Sequence, residues 1–122
     1  MTKILVVDDN DMVRETIELL IRTATDWEVV ALRNGQACLD HPLDGVNCIL
    51  LDLRMPNLSG WDVLKALRLR GSKVPVVLMS GHARELDDMP EPFPIVSAFL
   101  PKPFSGVILL NTIREAIGSN DH

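Results

Sequence analysis

The sequence predicts an α/β domain built on a doubly wound, five-stranded parallel sheet. Three observations carry that prediction. Five short, strand-like runs recur along the chain, among them "KILVV", "NCILLDL" and "VPVVLMS". These runs are apolar throughout instead of alternating, as strands of a parallel sheet covered on both faces must be. Between them lie stretches with apolar residues at helical spacing, so strand and helix alternate in the order that right-handed crossovers wind into three layers.

The first strand, 3–7, is β-branched and apolar and ends at Asp8 and Asp9. A helix over 10–24 follows, with Val13, Ile17, Leu20 and Ile21 on one face and Asn10 or Asp11 available as its cap. The second strand covers 27–32, and a short helix over 34–42 is stopped by Pro42. "NCILLDL", 47–53, is the third strand. The helix over 59–69 opens with Ser59 and Asp62 in capping-box spacing and ends at Gly71. The fourth strand is 74–80 and the fifth is 97–100. The last helix, 105–118, is closed by Gly118.

At 122 residues the chain is expected to form one domain, 1–122, with a substantial core. Nearly half of it is hydrophobic and the formal charge is -5, without the basic patch that nucleic-acid binding calls for. Cys38 and Cys48 lack metal-ligand spacing and read as buried thiols in a reducing compartment. The opening "MTKILVVDDN" has no signal-peptide pattern, and no apolar run approaches a membrane span, so the cytoplasm is the expected location.

In a doubly wound sheet, ligands sit outside the carboxyl ends of the strands, where the strand order reverses. The ends of strands one and three carry Asp8, Asp9 and Asp52. Three carboxylates in one crevice repel one another, and one takes up a proton unless a cation intervenes. Oxygen-only ligands with open positions suit Mg²⁺, a hard ion that keeps several waters and favours phosphate as a partner. Strand four ends in the hydroxyl of Ser80, and strand five is followed by Lys102 in "LPKPF". A carboxylate can act as a nucleophile toward phosphorus, and phosphoryl transfer needs mainly positioning and charge neutralisation.

"VVDDN", "LLDLRMPNLSG", "LMSG" and "LPKPF", in this order and on these elements, resemble the receiver domain of two-component response regulators from Lys3 to about Gly118. The resemblance implies a flavodoxin-like (βα)5 fold with strand order 2-1-3-4-5. It implies that Asp52 is the phosphoacceptor, that Asp9 binds Mg²⁺ directly, that Asp8 acts through a water, and that the backbone carbonyl of Arg54 completes the metal shell. It further implies that Ser80 and the N–H of Gly81 meet the phosphoryl group, that Lys102 pairs with it, and that the Phe99 rotamer follows Ser80. A cis peptide before Pro103 is expected, and Arg54 and His82 fall at positions that tune the lifetime of the phosphorylated form. The implied phosphodonor is a histidine kinase or a histidine phosphotransfer protein. An unidentified downstream protein is the implied target, with no nucleic acid or membrane bound through this chain.

Two other functions fit less well. A phosphatase of the haloacid-dehalogenase kind wants a second acid two residues after its aspartyl nucleophile, where Asp52 is followed by Arg54; Asn10 or Asp11, after Asp8 or Asp9, fits only loosely. A receiver-like module that no longer accepts phosphate usually loses an acid or the lysine, and here all are kept. Taken singly, the acids read as caps or strand-end solvation, Ser80 as a turn residue and Lys102 as a surface lysine, and the coincidence of four motifs at strand ends overturns those readings. It does not do so for Trp61 or the cysteines, which read as packing; by composition Phe99 reads as core, and His41, His82 and His122 share no ligand spacing.

The segment between strands four and five departs from the family. Pro90, Pro92 and Pro94 alternate there, each removing a backbone donor and pushing its predecessor toward extended geometry. The expected result is a shortened fourth helix of one or two turns around Ala83 to Met89, then an extended loop. That puts dimerisation or partner binding through the usual fourth-helix face in doubt and shifts attention to the first helix or to this loop. No output domain follows the last helix, so the chain is expected to be a stand-alone receiver or one excised from a larger protein.

Overall fold

The computed structural model describes residues 1–81 and 96–118. Nine elements follow in chain order: β1 (Lys3–Val7), α1 (Asp11–Ala24), β2 (Glu28–Leu32), α2 (Gly35–Asp40), β3 (Cys48–Asp52), α3 (Gly60–Leu69), β4 (Val76–Ser80), β5 (Ala98–Pro101) and α4 (Gly106–Gly118). All strand pairs are parallel, and the sheet runs β2-β1-β3-β4-β5. The order reverses between β1 and β3, which opens the crevice beyond their carboxyl ends. His82, the shortened helix expected from Ala83 to Met89 and the loop through Pro94 lie outside the described residues.

Burial explains the unbroken apolar strands. Every residue of β3 and β4 is buried, whereas the edge strands β2 and β5 are only partly covered. Successive strand residues feed opposite faces. Leu5, Val7, Ile49 and Leu51 pack with Cys38 of α2 and with Val63, Leu64 and Leu67 of α3. Ile4, Val6, Cys48 and Leu50 pack on the other face, with Ile17 and Ile21 of α1 and with Leu109 and Ile113 of α4. Both cysteines are buried free thiols, and burial pushes them up to about 11 for Cys38 and about 12 for Cys48.

Helix ends follow their local chemistry. Asn10, and not Asp11, caps α1, accepting at its side chain from the Val13 N–H. The capping box at α3 is complete, with Ser59 and Asp62 each accepting from the other's backbone N–H. Its far end is a Schellman turn: Gly71 at φ 84° lets the Ser72 N–H reach the Leu67 carbonyl at 3.1 Å. The short helix is trimmed at both sides relative to its expected span, with Asn34 as N-cap and His41 as C-cap ahead of Pro42. No helix among the described residues is long and apolar enough to cross a membrane.

Candidate functional site

Asp8 and Asp52 stand at the carboxyl ends of the two strands that flank the reversal, so β1–β3 pairing brings them side by side. Asp9 follows directly on Asp8. One carboxylate oxygen from each of the three lies within 4.8 Å of the others. Asp8 is fully buried, Asp52 is 5% exposed, and Asp9 faces solvent.

Asp8 is held at every polar atom. Its N–H donates to the Leu32 carbonyl at 3.1 Å, which continues the β1–β2 ladder past the strand end. Its carbonyl accepts from the Arg14 Nη1 at 2.8 Å. Its Oδ1 accepts from the Asn10 N–H at 2.9 Å and its Oδ2 from the Lys102 ammonium at 3.1 Å.

Lys102 reaches across from the loop after β5. Its Nζ lies 3.1 Å from Asp8 and 3.2 Å from Oδ1 of Asp52. The Lys102 N–H donates to the Ser80 carbonyl at 2.7 Å, which ties the lysine's backbone to the end of β4. The Lys102–Pro103 peptide bond is cis. Burial pulls the Lys102 ammonium down, but the carboxylates of Asp52 and Asp8 and their hydrogen bonds outweigh that and hold its pKa above the usual lysine value.

Asp52 is pushed the other way. Burial and then the Asp8 charge raise its carboxyl to about 6, against the opposing pull of Lys102 and of a backbone hydrogen bond from Arg54. Three carboxylates and one ammonium leave the cluster short of positive charge. The donor set is all oxygen and partly buried, at the carboxyl ends of β1 and β3. Such a set fits a hard divalent cation of the Mg²⁺ type.

The other predicted residues fall around this centre. Ser80 is buried at the tip of β4, beside β3, and Gly81 follows it at the surface. Arg54, two residues beyond Asp52, is exposed. Phe99 is one strand removed, on the face shared with α3, where its ring meets Trp61 edge-on with centroids 6.1 Å apart. Trp61 is itself packed in that core, as its reading from sequence anticipates.

Two contributors were hard to see in the sequence. Gly60 starts α3 so close to β3 that an added Cβ would lie 2.6 Å from the Asp52 carbonyl oxygen and 2.8 Å from the Leu53 Cα. Its place at the end of "LLDLRMPNLSG" is the signal that could have found it. Arg14 gives no such signal, because a lone arginine in an amphipathic helix reads as a solvated residue.

Comparison with known proteins bears on the family and the fold. The response regulator receiver domain model matches residues 4–114. The transcriptional regulatory protein FixJ of Azorhizobium caulinodans is 36% identical, covering 93% of this chain and 54% of that protein. The transcriptional regulatory protein CpxR of Escherichia coli is 33% identical, covering 96% of this chain and 50% of that protein. The chain thus spans about half the length of the curated relatives it matches. Among solved structures, a response regulator receiver domain protein from Clostridium thermocellum superposes with a TM-score of 0.86 over 99% of this chain and 98% of that one. At 24% identity that likeness speaks for the fold.

Proposed function

This chain belongs to the response regulator receiver domain family, and on that premise we infer that residues 1–122 form one receiver domain whose Asp52 accepts a phosphoryl group. The phosphodonor in this reading is a histidine kinase or histidine phosphotransfer protein, which places the chain in the cytoplasm. The observation that carries the reading is the Asp52 carboxylate, at the tip of a central strand, in contact with Lys102 and clustered with Asp8 and Asp9.

The chemistry follows from those groups. A carboxylate oxygen of Asp52 attacks phosphorus in line, and the P–N bond of the phosphohistidine breaks with its electron pair returning to the imidazole. Bound at Asp8, Asp9, Asp52 and the Arg54 carbonyl, Mg²⁺ would neutralise charge on the transferring phosphoryl oxygens. Lys102, kept protonated by its carboxylate neighbours, supplies a second positive charge at the same place. On phosphorylation, Ser80 and the Gly81 N–H turn toward the new phosphate and Phe99 follows, which alters the surface offered to a downstream protein. The phosphoryl group can bias only states it contacts differently, and these residues are the candidates for that difference. Arg54 and His82 set how fast water removes it. In this reading the chain turns over nothing but its own acyl phosphate.

The test is labelling with a small phosphodonor such as acetyl phosphate. Wild-type protein should form an acid-stable, base-labile acyl phosphate in Mg²⁺, with none in EDTA and none in Asp52→Asn. Equal labelling of the Asn variant would remove Asp52 from the role.

A further inference from the structure

We propose that Arg14 is a positioning residue for the metal-binding acids: its guanidinium locks the peptide between Asp8 and Asp9 and thereby aims the Asp9 carboxylate into the crevice. The inference rests on the function proposed above.

Arg14 is unusual for an arginine in the first turn of a helix. It is only 9% exposed, and it is one of four buried polar or charged residues among those described. Asp8, Asp52 and Ser80, the other three, all stand at strand ends of the candidate site. Burial of a guanidinium is costly unless its donors are used. Arg14 uses them inward and outward: Nη1 donates to the Asp8 carbonyl at 2.8 Å, and Nη2 pairs with the Asp11 carboxylate on the same helix.

The choice of the Asp8 carbonyl matters. That oxygen belongs to the peptide unit joining Asp8 to Asp9, so holding it sets the plane from which the Asp9 Cα and side chain depart. Asp8 has further anchors, at Asn10 and Lys102. Asp9 has none of its own: among the described residues no hydrogen bond or ion pair restrains its exposed carboxylate. Its direction therefore depends on the backbone: the Asn10 N–H is tied to Asp8 Oδ1 after it, and the carbonyl of the Asp8–Asp9 peptide itself is held by Arg14. Groups one step removed from a metal typically contribute ten- to a hundredfold in affinity by orienting the ligands.

Electrostatics alone makes the opposite prediction. Removing a cation close to a cation site, and leaving Asp11 uncompensated, should strengthen Mg²⁺ binding. The sign of the change therefore separates positioning from charge.

The experiment is calorimetric titration of the whole chain with Mg²⁺ at neutral pH, on wild type, Arg14→Met and Arg14→Lys, with urea denaturation to establish that each is folded. Arg14→Met should weaken Mg²⁺ binding about tenfold. Arg14→Lys, whose ammonium can donate to the Asp8 carbonyl but cannot also bridge to Asp11, should fall between the two and serves alone if the Met variant does not fold. Mg²⁺ binding by either variant that equals or exceeds wild type would overturn the proposal and leave the phosphoacceptor reading standing. If the wild-type chain itself neither binds Mg²⁺ nor is labelled at Asp52, the site reading and this inference fall together.

Discussion

Asp52 is the residue where competing terms are most finely set. Its carboxyl is raised from an ordinary value of 3.8 to about 6 by burial and by Asp8, while Lys102 pulls against both. The folded state therefore binds the Asp52 proton more tightly than the unfolded chain does. Stability from this group is present in acid and is lost as pH rises from about 4 through about 6. Two pH units of such mismatch amount to about 3 kcal/mol at most, from which the loss of the Lys102 contact in a neutral variant must be subtracted. In EDTA at pH 7.5, Asp52→Asn should thus melt a few degrees above wild type, with the gap closing near pH 4. Mg²⁺ should stabilise wild type more than the variant, since it binds only the folded site and loses one carboxylate in the Asn form. Melting curves that keep the same offset at both pH values would show that Asp52 carries no strain of charge.

At the scale of elements, the site depends on how closely α3 approaches the tip of β3. The Gly60 N–H donates to the Leu53 carbonyl at 2.9 Å, and the absence of a side chain at Gly60 lets the helix start against the main chain of Asp52 and Leu53. Backbone atoms of a central strand cannot rotate away as a side-chain tip can. Gly60→Ala should therefore cost about 1 to 3 kcal/mol in urea denaturation, the usual range for overpacking, and should slow labelling of Asp52 by acetyl phosphate. Gly118→Ala is the matched control, because a Cβ there meets nothing within 4 Å. It should change stability by less than about 0.5 kcal/mol. Full stability and normal labelling in Gly60→Ala would mean that the helix start can shift without cost. The neighbouring Trp61–Phe99 contact links the same helix start to β5, so α3 touches both β3, which carries the proposed phosphoacceptor, and the aromatic position proposed to respond.

At the scale of the whole molecule, the sheet separates two apolar layers that share every central strand. Cys38 lies in the layer under α2 and α3, and Cys48 in the layer under α1 and α4, each with no exposure. Both thiols are raised by burial, so the folded chain should react very slowly with Ellman's reagent. Because β1, β3 and β4 contribute to both layers, neither layer can be lost while the other keeps its core. The two cysteines should become reactive over the same range of urea, coincident with the loss of helical circular dichroism, as expected of a two-state domain of this size. Exposure of Cys38 at clearly lower urea than Cys48 would show that the α2–α3 layer opens on its own.

Sequence alone determined whatever depends on neighbours along the chain. The unbroken apolar runs marked the strands, the spacing of Val13, Ile17 and Ile21 marked α1, and Ser59 with Asp62 marked the start of α3. The acids were legible because each interrupts an apolar run where a strand must end. Periodicity left open which strands lie side by side, and the order β2-β1-β3-β4-β5 was anticipated by resemblance to a family, not by spacing. Only the tertiary structure decided that Lys102 bonds Asp8 from 94 positions away, that Arg14 turns inward to the Asp8 carbonyl, and that Gly60 abuts the Asp52 backbone. Helical and strand patterns record a residue's preference between solvent and core. A hydrogen bond between elements also requires direction and distance, and those arise only once the crossovers have set the strands in order and packed the helices against them.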